Sequence, residues 1–360
     1  MRFDLDEADA LLKSSTRDLL DRESPMAVTR AVMDESVEGF SRDLYTKLAA
    51  LGYVGLALPE SQGGSAAGAI GLTVVLNEMG RAALPGPYLD LMLAAEILRR
   101  TEGQVAAGAL RRLLEGARIV LPARAETLAG TEPATLQTRF RSGKVCGTKR
   151  FIAFGASADS LLVTTADGLA LVERPAGGWN AVRLETLDAA QRFVEIVFDA
   201  SATLLADAAC AASLLEEVDR VASLGAAALL LGLMERSLEL AVAYLKERRA
   251  FGKPIGSFQA LQHRAADMLL RTESSRSAVY RAAWTLENAP EKAPLLIAAA
   301  KAYCGESSRL VCAETIQMFG GVGFTWEYEP HIYFKRARTL EQLYGSTRSQ
   351  LETALQAVGI

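Results

Sequence analysis

Residues 247–268 read ERRAFGKPIGSFQALQHRAADM, with Arg248, Phe251-Gly252, Ile255, Phe258-Gln259 and Gln262 at fixed spacing. The stretch joins two long segments with few helix breakers, 208–245 and 254–288. Two more follow at 294–318 and 330–358, and across their junction residues 317–338 read QMFGGVGFTWEYEPHIYFKRAR. Helical patterns this much longer than the ordinary globular helix predict a four-helix bundle at the C-terminal end.

Towards the N-terminus the texture changes. Ile119-Val120-Leu121, Leu161-Leu162-Val163, Leu169-Ala170-Leu171-Val172 and residues 193–198 are short apolar or alternating runs, with Gly143, Gly147, Gly168 and Gly177-Gly178 between them. They predict an antiparallel β-domain of short strands. Residues before about 115 are Ala/Leu-rich and helical in period. Leu44, Leu48 and Leu51 mark one buried helix face. Pro59 and Gly63-Gly64 interrupt, and helical patterns resume through Leu76 and Met79 and again over 89–100. The expected fold class is therefore α+β and multidomain: an N-terminal helical domain (1–115), a middle antiparallel β-domain (116–206) and a C-terminal helical bundle (207–360).

Of the 360 residues half are hydrophobic, the net charge is -4 and the pI is about 5.5. This argues against a nucleic-acid binder, which would carry a basic face. The closest approach to a charge-free apolar span is 221–234, at 14 residues. It is too short to cross a bilayer and reads as a buried helix of a soluble protein. No cationic leader precedes a short apolar run, so the expected location is cytoplasmic. The four cysteines, Cys146, Cys210, Cys304 and Cys312, form no CxxC pair and read as reduced, buried thiols. With only His263 and His331 present, neither a histidine metal site nor a Ser–His–Asp triad is expected, and the acidic run Glu216-Glu217-Val218-Asp219 reads as a helix start.

The segments 247–268 and 317–338 resemble the two C-terminal signatures of the acyl-CoA dehydrogenase family. Three weaker matches stand in the right order: LALPESQGG (56–64), EMGRA (78–82) and GKVCGTKRFIAFGASAD (143–159). The resemblance spans nearly the whole chain and implies FAD as cofactor, an acyl-CoA substrate, and often an electron-transfer flavoprotein as electron acceptor. By the same resemblance Arg248 would hold the flavin dinucleotide's pyrophosphate, to which a guanidinium fork is suited. Phe251 would offer a flat apolar face, with Gln259 and Gln262 beside it. Gln317 would face the adenosine half, and Gly320 and Gly321 would let the backbone approach closely. Phe151, Ala153 and Ser346 complete the implied cofactor contacts. In the family these C-terminal groups reach the FAD of a neighbouring subunit, which implies a homo- or hetero-oligomer, a dimer or tetramer. Taken singly, each has a plainer reading: a solvated helix end for Arg248, a turn cap for Gln317, a helix-to-helix turn for the glycines.

The sequence departs from the family pattern around the chemistry. The family removes an α-proton with a glutamate that usually follows the AR of the last signature. Here that position falls on Tyr344, or on Gly345 with a one-residue gap. A phenol with an ordinary pKa near 10 is a poor base at neutral pH. The other family position for the glutamate falls on Ala222, while Asp219, three residues earlier, can share its helix face. Asp219 is thus the candidate for a displaced base, against the reading that it is a surface charge or cap. Thr131-Glu132-Pro133 lacks the GSD that follows in the family and reads as coincidence. The family's Trp-Ile-Thr stands here as Phe151-Ile152-Ala153, without the hydroxyl. Three readings follow: an FAD-dependent acyl-CoA dehydrogenase with a shifted base, a non-catalytic subunit completing a partner's FAD site in a heteromeric enzyme, or a flavin oxidase or monooxygenase on the same scaffold.

Overall fold

The computed structural model describes residues 5–127 and 136–359, so Thr131-Glu132-Pro133 lies outside the described residues. The chain forms two compact units: residues 1–29, 69–84 and 222–360 make one, and Arg30–Gly68 with Pro85–Val221 make the other.

The second unit carries the helices Arg42–Ala50, Tyr88–Arg99 and Gln104–Leu114 and two four-stranded sheets. In one sheet the order is Val120–Ala123, Ser160–Thr165, Gly168–Glu173, Thr203–Asp207. Ser160–Thr165 has every residue buried, as a strand covered on both faces must. In the other the order is Arg139–Arg141, Lys144–Ala153, Phe193–Ser201, Ala181–Arg183. Each apolar run picked out in the sequence lies on a strand, but the pairing is not uniformly antiparallel: Val120–Ala123 runs parallel to Ser160–Thr165. The long connection between those two strands permits this, since a parallel pair needs a crossover where a hairpin would give an antiparallel one.

The helix face at Leu44 and Leu48 is buried, but Leu51 is exposed. The helix Arg42–Ala50 ends one residue before Leu51, and Gly52, in the left-handed region at φ 81°, turns the chain away. Cys304 and Cys312 are buried free thiols, whereas Cys146 and Cys210 are exposed, contrary to the expectation for all four. Cys146 faces outward on the strand Lys144–Ala153, and Cys210 lies in the first turn of a helix.

The first unit is helical. Gln259–Asn288 (30 residues), Ala293–Phe319 (27) and Ala208–Glu247 (40), which belongs to this unit from Ala222 on, are as long as their patterns require. The fourth segment is not one helix: it breaks into Pro330–Gln342 and Thr347–Ala357. Ala208–Glu247 starts well before the run Glu216-Glu217-Val218-Asp219, so that run is helix interior and not a helix start. Asp207 supplies the cap, accepting from Cys210 N at 2.8 Å. Within this helix lies the one window, among the described residues, that is long and apolar enough to cross a membrane, and 78% of that window is buried in the protein.

Two helices of this unit cross backbone to backbone. A Cβ on Gly232 would stand 1.9 Å from Asn77 O, and one on Gly80 would stand 2.1 Å from Leu229 O. Neither obstacle is a flexible side chain, so the helices must separate to admit a methyl group. Glu78, buried beside this crossing, receives Arg17 Nε at 2.8 Å and Nη2 at 2.7 Å. The EMGRA match is thus, in this unit, a helix-crossing motif. Gly232→Ala is expected to destabilise the fold by about 1–3 kcal/mol, read as a lowered midpoint in thermal or urea unfolding.

Candidate functional site

Arg248 follows directly on the helix Ala208–Glu247. Its N–H donates to Tyr244 O at 2.9 Å and its carbonyl accepts from Ile255 N at 2.8 Å, so its main chain is fixed on both sides. Its side chain is exposed and forms no ion pair among the described residues. Arg249–Ala250 then pairs antiparallel with Lys253–Pro254. The two-residue loop, Phe251-Gly252, has φ of 52° and 79°, so both residues are left-handed, as in a type I′ hairpin turn. Asn or Gly normally takes the first of these places, and a phenylalanine there is strained. Phe251 is 93% exposed, with only Phe258 edge-on at 6.1 Å. Gln259 opens the next helix with its side chain exposed, and Gln262 donates to Gly256 O at 2.9 Å, bracing the turn.

Gln317 belongs to the same neighbourhood. Tyr244, one turn before Arg248, stacks on Phe319 at 4.1 Å, and Tyr328 packs edge-on against both rings at 6.4 and 5.6 Å. This aromatic cluster brings the arginine motif to the end of Ala293–Phe319, where Gln317 is exposed and its carbonyl accepts from Gly320 N. The glycines divide their tasks. Gly320 adopts φ 66°, ψ −142°, a conformation reserved for glycine. Gly323 is needed for closeness, since its Cβ would meet Ile316 O at 2.5 Å. At Gly321 a Cβ would meet nothing, so that main chain faces open surface. Near these helix ends a guanidinium without an ion pair among the described residues, a carboxamide, an uncovered glycine backbone and a projecting phenyl ring are each exposed. Such donors suit a diphosphate anion, and such an apolar face suits a planar ring.

In the β-containing unit Phe151 is half-buried at φ 54° and Phe154 buried at φ 55°, on either side of Ile152-Ala153. The register of Lys144–Ala153 against Phe193–Ser201 shifts between Lys149 and Ile152, so this is a bulge. Ala153 is paired with Phe193 and has no hydroxyl to offer. Asp219 lies in the same unit, where both carboxylate oxygens face the guanidinium of Arg124, Oδ2 receiving Nη2 at 2.9 Å. Arg124 follows the strand Val120–Ala123 and is largely enclosed.

Tyr344 is half-buried at φ 57° in the break between the last two helices. Ser346 caps the helix that follows, its Oγ accepting from Ser349 N at 3.2 Å. Ala222, the alternative position for a base, is buried. The sequence reading did not single out Arg124 or Lys301. For Lys301 the signal was there: a lone cation in the apolar run LLIAAAKAYC, with no acid three or four residues to either side.

Comparisons with known proteins identify the family. Residues 6–116 match the acyl-CoA dehydrogenase N-terminal domain and residues 220–359 the C-terminal domain. The acyl-CoA dehydrogenase IpdE2 of Mycolicibacterium smegmatis is 31% identical over 351 residues, covering 96% of this chain and 97% of that one. IpdE2 of Mycobacterium tuberculosis is 30% identical over 342 residues, covering 95% and 94%. Among solved structures, the ChsE4-ChsE5 complex from Mycobacterium tuberculosis aligns at a TM-score of 0.86 with 26% identity over 99% of each chain. A structure described as the Tcur3481-Tcur3483 steroid ACAD aligns at 0.85 with 27% identity over 98% of each. Two family domains covering well over half of the sequence, and a relative 31% identical along almost its full length, lead to one conclusion: the chain belongs to the acyl-CoA dehydrogenase family.

Proposed function

We propose that this chain is the base-lacking subunit of a heteromeric, FAD-dependent acyl-CoA dehydrogenase acting on a bulky, steroid-derived acyl-CoA. The observation that carries this reading is an asymmetry. The groups suited to the dinucleotide, Arg248, Phe251, Gln317 and the Gly320-Gly321 backbone, are presented outward from the chain. The groups suited to the chemistry are missing: no acid stands at residue 344 or 222, and Asp219 has both oxygens turned to Arg124. Similarity to proteins described as the ChsE4-ChsE5 complex and the Tcur3481-Tcur3483 steroid ACAD supports a mixed assembly and that substrate class.

In this reading Arg248 binds the pyrophosphate, Gln317 and the Gly320-Gly321 backbone bind the adenosine half, and Phe251 covers an apolar part of the cofactor, all across a subunit boundary. FAD supplies the acceptor for the β-hydrogen when bound. The carboxylate that removes the α-proton comes from the catalytic partner. The strain at Phe251 fits a side chain kept for contact outside its own chain, because Asn would relax the turn.

Purified alone, the chain is expected to be colourless or nearly so. Co-expressed with its catalytic partner it forms a yellow complex that bleaches anaerobically with a steroid acyl-CoA. A yellow homomer that bleaches by itself overturns the reading in favour of a self-sufficient dehydrogenase. In the complex Arg248→Ala lowers FAD retention by at least tenfold, the effect of losing a charge-assisted pair of about 1.5–3 kcal/mol, measured as flavin absorbance after gel filtration. Phe251→Asn leaves the melting midpoint of the lone chain unchanged or higher, yet weakens FAD retention in the complex. Asp219→Asn leaves bleaching intact and costs about 1–2 kcal/mol of stability, through the loss of a half-exposed partner of Arg124. Abolished bleaching with FAD still bound would instead make Asp219 the base.

A further inference from the structure

Lys301 is completely buried in the middle of the helix Ala293–Phe319. An ammonium has three N–H donors and no acceptor. Three main-chain carbonyls meet it: Gly345 at 2.9 Å, Leu340 at 3.1 Å and Glu341 at 3.2 Å. Two of these belong to the last turn of Pro330–Gln342, where carbonyls have no partner further along the helix and a cation answers the dipole. The third lies past the turn, inside the break. The other side of the break is held in the same manner. Tyr344 O accepts from Ser223 Oγ at 2.9 Å and from Gln350 Nε2 at 3.3 Å. A Cβ on Gly345 would fall 1.9 Å from Gln350 Nε2, so residue 345 must be glycine for the lock to close.

We propose that Lys301 is the positioning residue of this break: the N–H donors of its Nζ lock the main chain of residues 340–345 and so set the direction of the Tyr344 side chain, at the place where the family carries its glutamate. The role given to Tyr344 rests on the function proposed above; the main-chain lock does not.

Burial pushes Lys301 down to about 8, with Cys304 and Glu341 opposing the shift. The Cys304 thiol, itself pushed up to about 12 by burial, stays neutral. Glu341 is engaged by Arg338 and Thr347, and the other groups turned to the break, Ser223 and Gln350, are uncharged. An opening that hydrates Lys301 restores its ordinary pKa near 10.4. The open state therefore binds more protons than the closed state between the two values, and opening becomes harder as pH rises from about 8 to about 10.

Hydrogen exchange of amides 343–350, read by mass spectrometry on the folded chain, tests the lock. At pH 7 Lys301→Met is expected to raise exchange there roughly tenfold, the equivalent of about one lost hydrogen bond, while amides of Gln259–Asn288 stay unchanged. No rise at 343–350, or an equal rise in both segments, overturns the proposal. In the native chain, exchange divided by the intrinsic rate should fall with pH above 8, by up to roughly tenfold per pH unit; a flat profile overturns it, and this arm holds even if Lys301→Met does not fold. In the assembled flavoenzyme the same variant raises KM for the acyl-CoA at unchanged flavin content. An unchanged KM with a broken lock overturns the role of Tyr344 alone, and a colourless assembly overturns the functional reading without touching the lock.

Discussion

The stacking of Tyr244 on Phe319 fixes the helix ends that carry Arg248 and Gln317. Two long helices, far apart in sequence, end side by side because these rings lie 4.1 Å apart and Tyr328 closes over their edges. Arg248 is one turn beyond the first ring and Gln317 two residues before the second. Neither polar group contributes to the contact, so both remain free to point outward. A burial-driven aromatic cluster thus pre-organises a polar surface at no desolvation cost to its arginine.

Two kinds of feature along this chain are held by different physical means. The segments around Arg248 and Gln317 depend on main-chain geometry: a two-residue hairpin, a glycine torsion, a close backbone approach at Gly323. The features expected to face the isoalloxazine and the acyl group depend on side-chain identity, a hydroxyl after Phe151-Ile152 and an acid near the C-terminus. Main-chain geometry survives most substitutions, whereas a functional group is lost by one.

Much of this could be read before any coordinates. Long unbroken apolar patterns gave the helices, and short alternating runs gave the strands. The segments around Arg248 and Gln317 carried the family resemblance that the two matching domains bear out. What escaped the reading were effects decided by tertiary partners. Leu51 fits the period of its helix but follows its last turn, and Gly52 removes it from the core. Cys146 is apolar by type yet sits on the outward side of a strand. Asp219 carries the right functional group for a base, and only the position of Arg124, 95 residues away, shows where its lone pairs are directed. The break at 343–346 left no strong mark either, because a single glycine among helix formers is a weak stop signal.

That break has an evolutionary reach beyond its geometry. Lys301, Ser223 and Gln350 all grip it through peptide carbonyls, those of residues 340, 341, 344 and 345. The scaffold holds the backbone there by groups that every residue type carries. A substitution at position 344 leaves those main-chain contacts standing, so the sequence can change there while the break keeps its shape.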